Sequence, residues 1–237
     1  MGTLFIVATP IGNMQDISLR AVETLLHADV IACEDTRRTG MLLQQIRQIA
    51  PAISGEKKPR LISYYDQVEN QKTPEIIHLL LQGVDVALIS DAGTPLVNDP
   101  GYRVVRAAID AQITIASIPG PSAVITALTL SGLPTDKFFF LGYLPKKQGH
   151  RKVLLESLMQ LQGQLKTTVI FFEAPHRIVG TLEELQEVFG KEKHIVVCRE
   201  LTKIYEEVRR ESIAQSLVHF TKTAPKGEFV LLFQTEG

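Results

Sequence analysis

The sequence predicts a two-lobed α/β protein, with a parallel α/β lobe over residues 1–118 and a mixed α/β lobe over 119–237. Three observations carry this. In the first half, short apolar runs alternate with stretches of helical spacing, as strand–helix–strand units around a parallel sheet require. Pro119-Gly120-Pro121-Ser122 then breaks the alternation and reads as a hinge. Beyond the hinge, strand-like segments outnumber helical ones, which fits a partly antiparallel sheet.

The first strand is the apolar run 4–8, which stops at Thr9-Pro10-Ile11-Gly12-Asn13. Residues 16–28 follow with helical spacing and place Leu19, Val22, Leu25 and Leu26 on one face. The second strand, 30–33, is closed by Glu34-Asp35-Thr36-Arg37, and 39–49 reads as a helix. Residues 60–64 form a third strand. Thr73 and Pro74 supply an N-cap and a first helical position, and Gly83 closes that helix. A fourth strand at 86–90 leads into Asp91-Ala92-Gly93-Thr94-Pro95. Asp99-Pro100 repeats the helix-start chemistry, and 113–118 is the fifth strand. In the second lobe 138–142, 167–172, 195–199, 206–212 and 229–234 are strand-like, and 151–161 and 181–189 are helical.

Composition narrows the function classes. Of 237 residues, 45% are hydrophobic and 22% charged, enough apolar material for a real core. Lys and Arg total 25 against 26 Asp and Glu, with an isoelectric point of about 6.6, which argues against a strongly basic nucleic-acid binder. Basic residues still cluster at Arg37-Arg38, at Lys146-Lys147 with His150-Arg151-Lys152, and at Arg209-Arg210. The two cysteines, Cys33 and Cys198, form no C-x-x-C pair, so a disulfide scaffold and a zinc ribbon are both excluded and a reducing cytoplasm fits. Residues 111–135 carry no charge, but the central Pro119-Gly120-Pro121 favours a buried strand, turn and helix over a membrane span. No targeting segment is evident at Met1, and the six histidines are scattered, so no metal is expected.

The familiar nucleotide fingerprints are missing. No G-x-G-x-x-G follows the first strand, and neither a P-loop nor a nucleophile elbow occurs. What remains is three small-residue loops at strand ends: Val7 through Asn13, Ser90 through Pro95, and Ile118-Pro119-Gly120-Pro121-Ser122-Ala123. Each alone is an ordinary tight connection. Together, at one edge of a parallel sheet, they describe a ligand cleft in which Gly93 and Gly120 would let backbone approach a flat ligand.

These loops, with Glu34-Asp35-Thr36-Arg37, Asp99-Pro100-Gly101-Tyr102, Phe172-Glu173-Ala174-Pro175-His176-Arg177 and Arg199-Glu200-Leu201-Thr202-Lys203, resemble the tetrapyrrole-methylase superfamily. The closest branch is the ribosomal RNA small-subunit methyltransferase I family, and the likeness runs from Leu4 to about Leu232. It implies S-adenosylmethionine as methyl donor, a cytidine ribose 2′-hydroxyl in small-subunit ribosomal RNA or the assembled subunit as acceptor, a homodimer, a donor cleft between two lobes, and a cytoplasmic enzyme. Carried over by position, donor contacts fall on Pro10, Ala92, Gly93, Thr94, Val97, Ser122, Ala123 and Glu173. A sulfonium prefers carbonyls and carboxylates, so Asp91 joins this set. Glu34, Asp35 and Arg37 fall on the acceptor side: a carboxylate to take the ribose proton, and Arg37 to bind phosphate. Arg177 is a second phosphate-clamp candidate. Tyr65 stands where many relatives have histidine, so no role transfers there.

Two other functions compete. A corrinoid or porphyrinoid methyltransferase would have a larger apolar acceptor cleft and no basic path. A non-catalytic RNA-binding module of the same fold would have lost the small-residue loops.

Overall fold

The computed structural model describes residues 1–53, 57–161 and 166–235. The chain divides into two compact units, Met1–Ser122 and Ala123–Gly237.

The first unit is a five-stranded, wholly parallel sheet of β1 (Thr3–Val7), β2 (Val30–Cys33), β3 (Arg60–Ser63), β4 (Val86–Leu88) and β5 (Thr114–Ile118), in the order β3-β2-β4-β1-β5. Every residue of β2 and β4 is buried, as expected for strands covered on both faces. α1 (Leu19–His27) and α2 (Thr36–Ile49) pack Val22, Leu25, Leu43 and Ile46 on one face, against Val7, Ile31 and Ala87. α3 (Glu69–Leu81) and α4 (Tyr102–Asp110) pack Ile76, Leu80 and Val104 on the other, against Leu4, Val30 and Leu88. Right-handed crossovers require this division: β1 and β2 lead towards one edge of the sheet, β3 and β4 back towards the other.

α2 and the helices Gln148–Gln160 and Ile178–Phe189 each start three residues earlier than the sequence reading, and at three further helix starts the capping chemistry itself differs. α1 begins at Leu19, capped by the Ser18 hydroxyl accepting from Ala21 N at 3.1 Å, so Leu19 lies in the first turn and is 72% exposed instead of facing the core. α3 begins at Glu69, so Pro74 is inside the helix and the Thr73 hydroxyl donates to Glu69 O at 2.8 Å in place of capping. The extra turn forms because Glu69 is drawn inward. Its Oε1 accepts from Tyr64 Oη (3.1 Å), Gly101 N (3.0 Å) and Arg103 N (3.3 Å). The same bonds explain α4, which starts at Tyr102 after Gly101 at φ 139°, and is capped by the distant Glu69 and not by Asp99.

The second unit begins with α5 (Ala123–Ser131) and holds a mixed sheet of β6 (Phe138–Tyr143), β7 (Thr168–Glu173), β8 (His194–Arg199), β9 (Glu207–Ser212) and β10 (Phe229–Gln234), in the order β6-β7-β10-β8-β9. Only β6 and β7 run parallel; the other pairs are antiparallel. Alternation divides the sheet's faces: Phe229, Leu231 and Phe233 point into a core shared with α6 (Gln148–Gln160), α7 (Ile178–Phe189) and α8 (Ile213–Lys222). α5 packs against β7, β9 and β10. α8 lies outside the helices expected from sequence, although Ser212 and Gln215 form a capping box at its start.

Candidate functional site

β4 and β1 are neighbours whose following helices leave for opposite faces. This is the topological switch point of an open parallel sheet, where ligands bind beyond the carboxyl ends. β5 lies on the other side of β1, so the three small-residue loops share this edge. They are sewn together by backbone: Thr9 N donates to Gly93 O at 2.9 Å, Gly93 N to Thr9 O at 3.1 Å, and Ala8 N to Ile118 O at 3.2 Å. The Thr94 hydroxyl donates to Pro121 O at 3.1 Å.

The β4–α4 loop is strained. Leu96 and Asn98 sit at φ 71° and 68°, where side-chain-bearing residues are uncommon, and Gly93 lies at φ 82°. A Cβ on Gly93 would come within 3.3 Å of Ile11 Cγ2. Gly93 is therefore fixed first by backbone conformation. Gly120 answers to packing, since a Cβ there would lie 3.1 Å from Ala8 Cβ.

Asp91 is the hub between the β2 and β4 loops. Its N–H donates to Glu34 Oε1 at 3.1 Å, its Oδ1 accepts from Asp35 N at 3.3 Å, and its Oδ2 accepts from Arg38 at 2.9 Å. Arg38, absent from the sequence-derived candidates, is thus the arginine that orients Asp91. Arg37, 90% exposed at the side chain, faces Asp35 at 3.5 Å.

The two acceptor-side carboxylates have opposite surroundings. Asp35 is the N-cap of α2, its Oδ1 accepting from Arg37 N at 2.8 Å, and that bond holds its pKa below the ordinary carboxylate value. Glu34 is raised, chiefly by burial, with Asp99, Asp91 and Asp66 adding negative field against the single Asp91 N–H. Burial also raises Asp99. Asp66 and Asp99 are not among the site residues expected from sequence, because they are 32 and 65 residues from Glu34 in the chain; the fold brings their charges to bear on it. Beside these groups lies a cavity of about 360 Å3 lined by Pro10, Arg38, Thr39, Ile89, Ser90 and Asp91.

Pro10, Asp91, Ala92, Gly93, Thr94, Glu34 and Asp35 therefore gather at one edge of the first sheet, with Val97 further along the same loop and Ser122 just after Pro121. Ala123 and Glu173 belong to the second unit, at the start of α5 and the end of β7. Glu173 is fully buried, accepting from Ala174 N (2.8 Å) and Thr181 Oγ1 (2.6 Å) and facing Arg177 Nε at 3.2 Å. Among the described residues no group of His, Cys, Asp or Glu is arranged to hold a metal ion, and no helix is long and apolar enough to cross a membrane.

An open parallel sheet with its small-residue loops sewn over the switch point, joined to a mixed second unit, defines a methylase of the tetrapyrrole type. The profile of the tetrapyrrole (corrin/porphyrin) methylases matches residues 3–216. "Ribosomal RNA small subunit methyltransferase I" of Synechocystis sp. is 45% identical over 98% of this chain and 78% of its own length. The protein of that name from Mesorhizobium japonicum is 46% identical over 96% of this chain and 74% of its own. The chain belongs to this ribosomal RNA small subunit methyltransferase I family within the tetrapyrrole methylases, and is an S-adenosylmethionine-dependent methyltransferase. In fold it also matches uroporphyrin-III C-methyltransferase from Thermus thermophilus complexed with S-adenyl homocysteine, with a TM-score of 0.64 at 14% identity, covering 99% of this chain and 98% of that one.

Proposed function

We propose that the protein methylates the 2′-hydroxyl of a cytidine in small-subunit ribosomal RNA, with Glu34 as the proton acceptor. The carrying observation is the Glu34 carboxylate bonded to the Asp91 N–H at the switch-point edge, beside loops rich in carbonyls and small residues. The family supports the methyl transfer, and the relatives' shared name supports ribosomal RNA as substrate.

The loop residues suit a sulfonium donor. Burial raises Glu34 first, and Asp99, Asp91 and Asp66 add a negative field there that favours a cation. Pro10, Asp91, Ala92, Gly93, Thr94, Val97 and Ser122 of the first unit would hold S-adenosylmethionine. When bound, S-adenosylmethionine supplies an electrophilic methyl group. Glu34 accepts the hydroxyl proton, which a carboxyl raised above its ordinary value does better than an unshifted one. Asp35, committed to the α2 cap, holds the β2 loop in shape. Arg37, exposed and loosely paired, is placed to meet a phosphate near the target ribose.

The RNA reading stands ahead of a corrinoid or porphyrinoid acceptor because exposed cations accompany the acidic edge. Phe138 and Phe139, 39% and 40% exposed on the outer strand β6, support a homodimer. The cytoplasm, where ribosomal subunits are, is the expected location. The test is methyl transfer to undermodified small ribosomal subunits, with mass mapping of the product. A modified cytidine ribose is expected; transfer to a tetrapyrrole and none to RNA would overturn the reading.

A further inference from the structure

The second unit has a cleft of its own, about 900 Å3 in volume, at the carboxyl ends of the parallel pair β6 and β7. Its wall includes Tyr143, Lys146, Arg151, His176, Arg177 and Gly180, and among the described residues no acidic side chain lines it. We propose that this cleft seats a backbone phosphate of the RNA substrate. The inference rests on the RNA reading above and adds a second point of RNA contact to it.

The two arginines are built in, not draped over the surface. Arg151 is bound through Nε and one terminal nitrogen to the Glu184 carboxylate, and its other terminal nitrogen donates to Pro145 O at 3.0 Å. Arg177 faces Glu173 through Nε at 3.2 Å and donates to Leu144 O at 2.9 Å and Pro145 O at 3.3 Å. The Pro145 carbonyl is shared, so both guanidiniums are locked to one loop. Their side chains are 12% and 16% exposed, and those of Glu184 and Glu173 are 10% and 0%. Ion pairs this buried seldom stabilise a fold more than apolar residues would, so their value here is a fixed orientation of guanidinium beside open space.

The two carboxylates balance the two arginines. The Lys146 ammonium is then surplus positive charge: it is exposed, and among the described residues it makes no ion pair. Lys147 and Lys152 follow on the same exposed segment, and the exposed imidazole of His176 stands on the opposite loop. α7 starts without a side-chain cap, and Gly180 in its first turn has nothing within 4 Å of where a Cβ would lie, which leaves that turn approachable. Tyr143, 48% exposed, is held edge-on to Phe172 at 5.7 Å and offers a base a fixed aromatic surface. Cations on a rigid wall, an open helix start and an aromatic edge together match a phosphodiester with its base. An anionic group of the methyl donor would use the same cations, so the test must separate the two.

The variants are Lys146→Glu with His176→Ala, both at exposed positions outside the buried pairs, and Lys222→Glu on α8 as a charge-matched control. RNA affinity is read by fluorescence anisotropy on an unmethylated small-subunit RNA fragment over a series of salt concentrations. Donor affinity is read by calorimetry, and methyl transfer by product mass. The double variant is expected to bind RNA about tenfold more weakly, with a log–log salt slope shallower by roughly 0.7 per lost phosphate contact, while the control and donor affinity stay as in wild type. RNA affinity and slope equal to the control would overturn the proposal, even if transfer proceeds. Donor affinity falling in step would assign the cleft to the donor's anionic group and equally overturn it. Wild-type protein that transfers no methyl to RNA would instead sink the RNA reading, and this inference with it.

Discussion

Glu34 and Asp91 lock the β2 and β4 loops to each other. The Asp91 N–H donates to the Glu34 carboxylate at 3.1 Å, and the neighbouring Asp35 N–H returns the bond to Asp91 at 3.3 Å. The proposed base is thereby aimed by the loop that would hold the donor. Replacing Glu34 by Gln keeps an oxygen for the Asp91 N–H and removes only the proton acceptor. Turnover is expected to fall roughly a hundredfold with donor affinity nearly unchanged, as single-turnover kinetics and calorimetry would show. Turnover near wild type would mean that positioning alone drives the reaction.

Asp35→Ala should act differently. It removes the α2 N-cap, so a lower urea midpoint is expected. The kinetic loss should be smaller than that of Glu34→Gln. A reversed ranking would transfer the base role to Asp35.

The pH dependence follows from the direction of the Glu34 shift. As a base, Glu34 must be ionised, so the acid limb of the rate profile should lie above its ordinary value of 4.5, and Glu34→Gln should remove that limb. Stability runs the other way. A carboxyl raised in the fold favours the native state below 4.5, where it is protonated in both states, and that contribution is lost as pH rises through the folded value. Glu34→Gln should therefore melt higher than wild type near pH 7 and converge with it near pH 4. Thermal melts across that range would check this, and coincident curves at neutral pH would contradict it.

The Arg151–Glu184 pair gives a prediction on stability. Glu184→Ala strands a guanidinium that is 12% exposed, and a loss of about 3 kcal/mol is expected. The double variant Arg151→Met, Glu184→Leu should recover most of it. Failure to recover would show that the arginine also matters through its bond to the Pro145 carbonyl.

Both thiols should be silent in the native protein. Cys33 and Cys198 are buried at 1% and 0% exposure, and burial pushes the Cys198 thiol up to about 12. A thiol reagent is expected to label neither until denaturant is added, then both.

Much of the architecture was legible because its signals are local. Among the described residues the strands of the first sheet stood out as short apolar runs, since a strand covered on both faces must be apolar throughout, and their bounds fall within a residue or two of those expected. Helix starts were less legible where a distant group decides them. Nothing near Asp99 or Thr73 announces that Glu69 caps α4, because that bond spans 32 residues. At the site, the loops were visible as clusters of small residues, whereas the division of labour between Glu34 and Asp35 was not. It depends on which carboxylate the α2 cap consumes, and on Asp66 and Asp99 arriving from other loops.

The strand orders bear on how the chain assembles during synthesis. β1 emerges first, yet it lies between β4 and β5, and its partner Ile118 is made more than a hundred residues later. At roughly 5–20 residues per second, the first strand waits for many seconds without its neighbours. The second sheet is more extreme: β10, made after β6, β7, β8 and β9, sits in the middle, between β7 and β8. A ribosome stalled before Phe229 would leave that sheet as two unjoined pieces, with the apolar edges of β7 and β8 open to other chains.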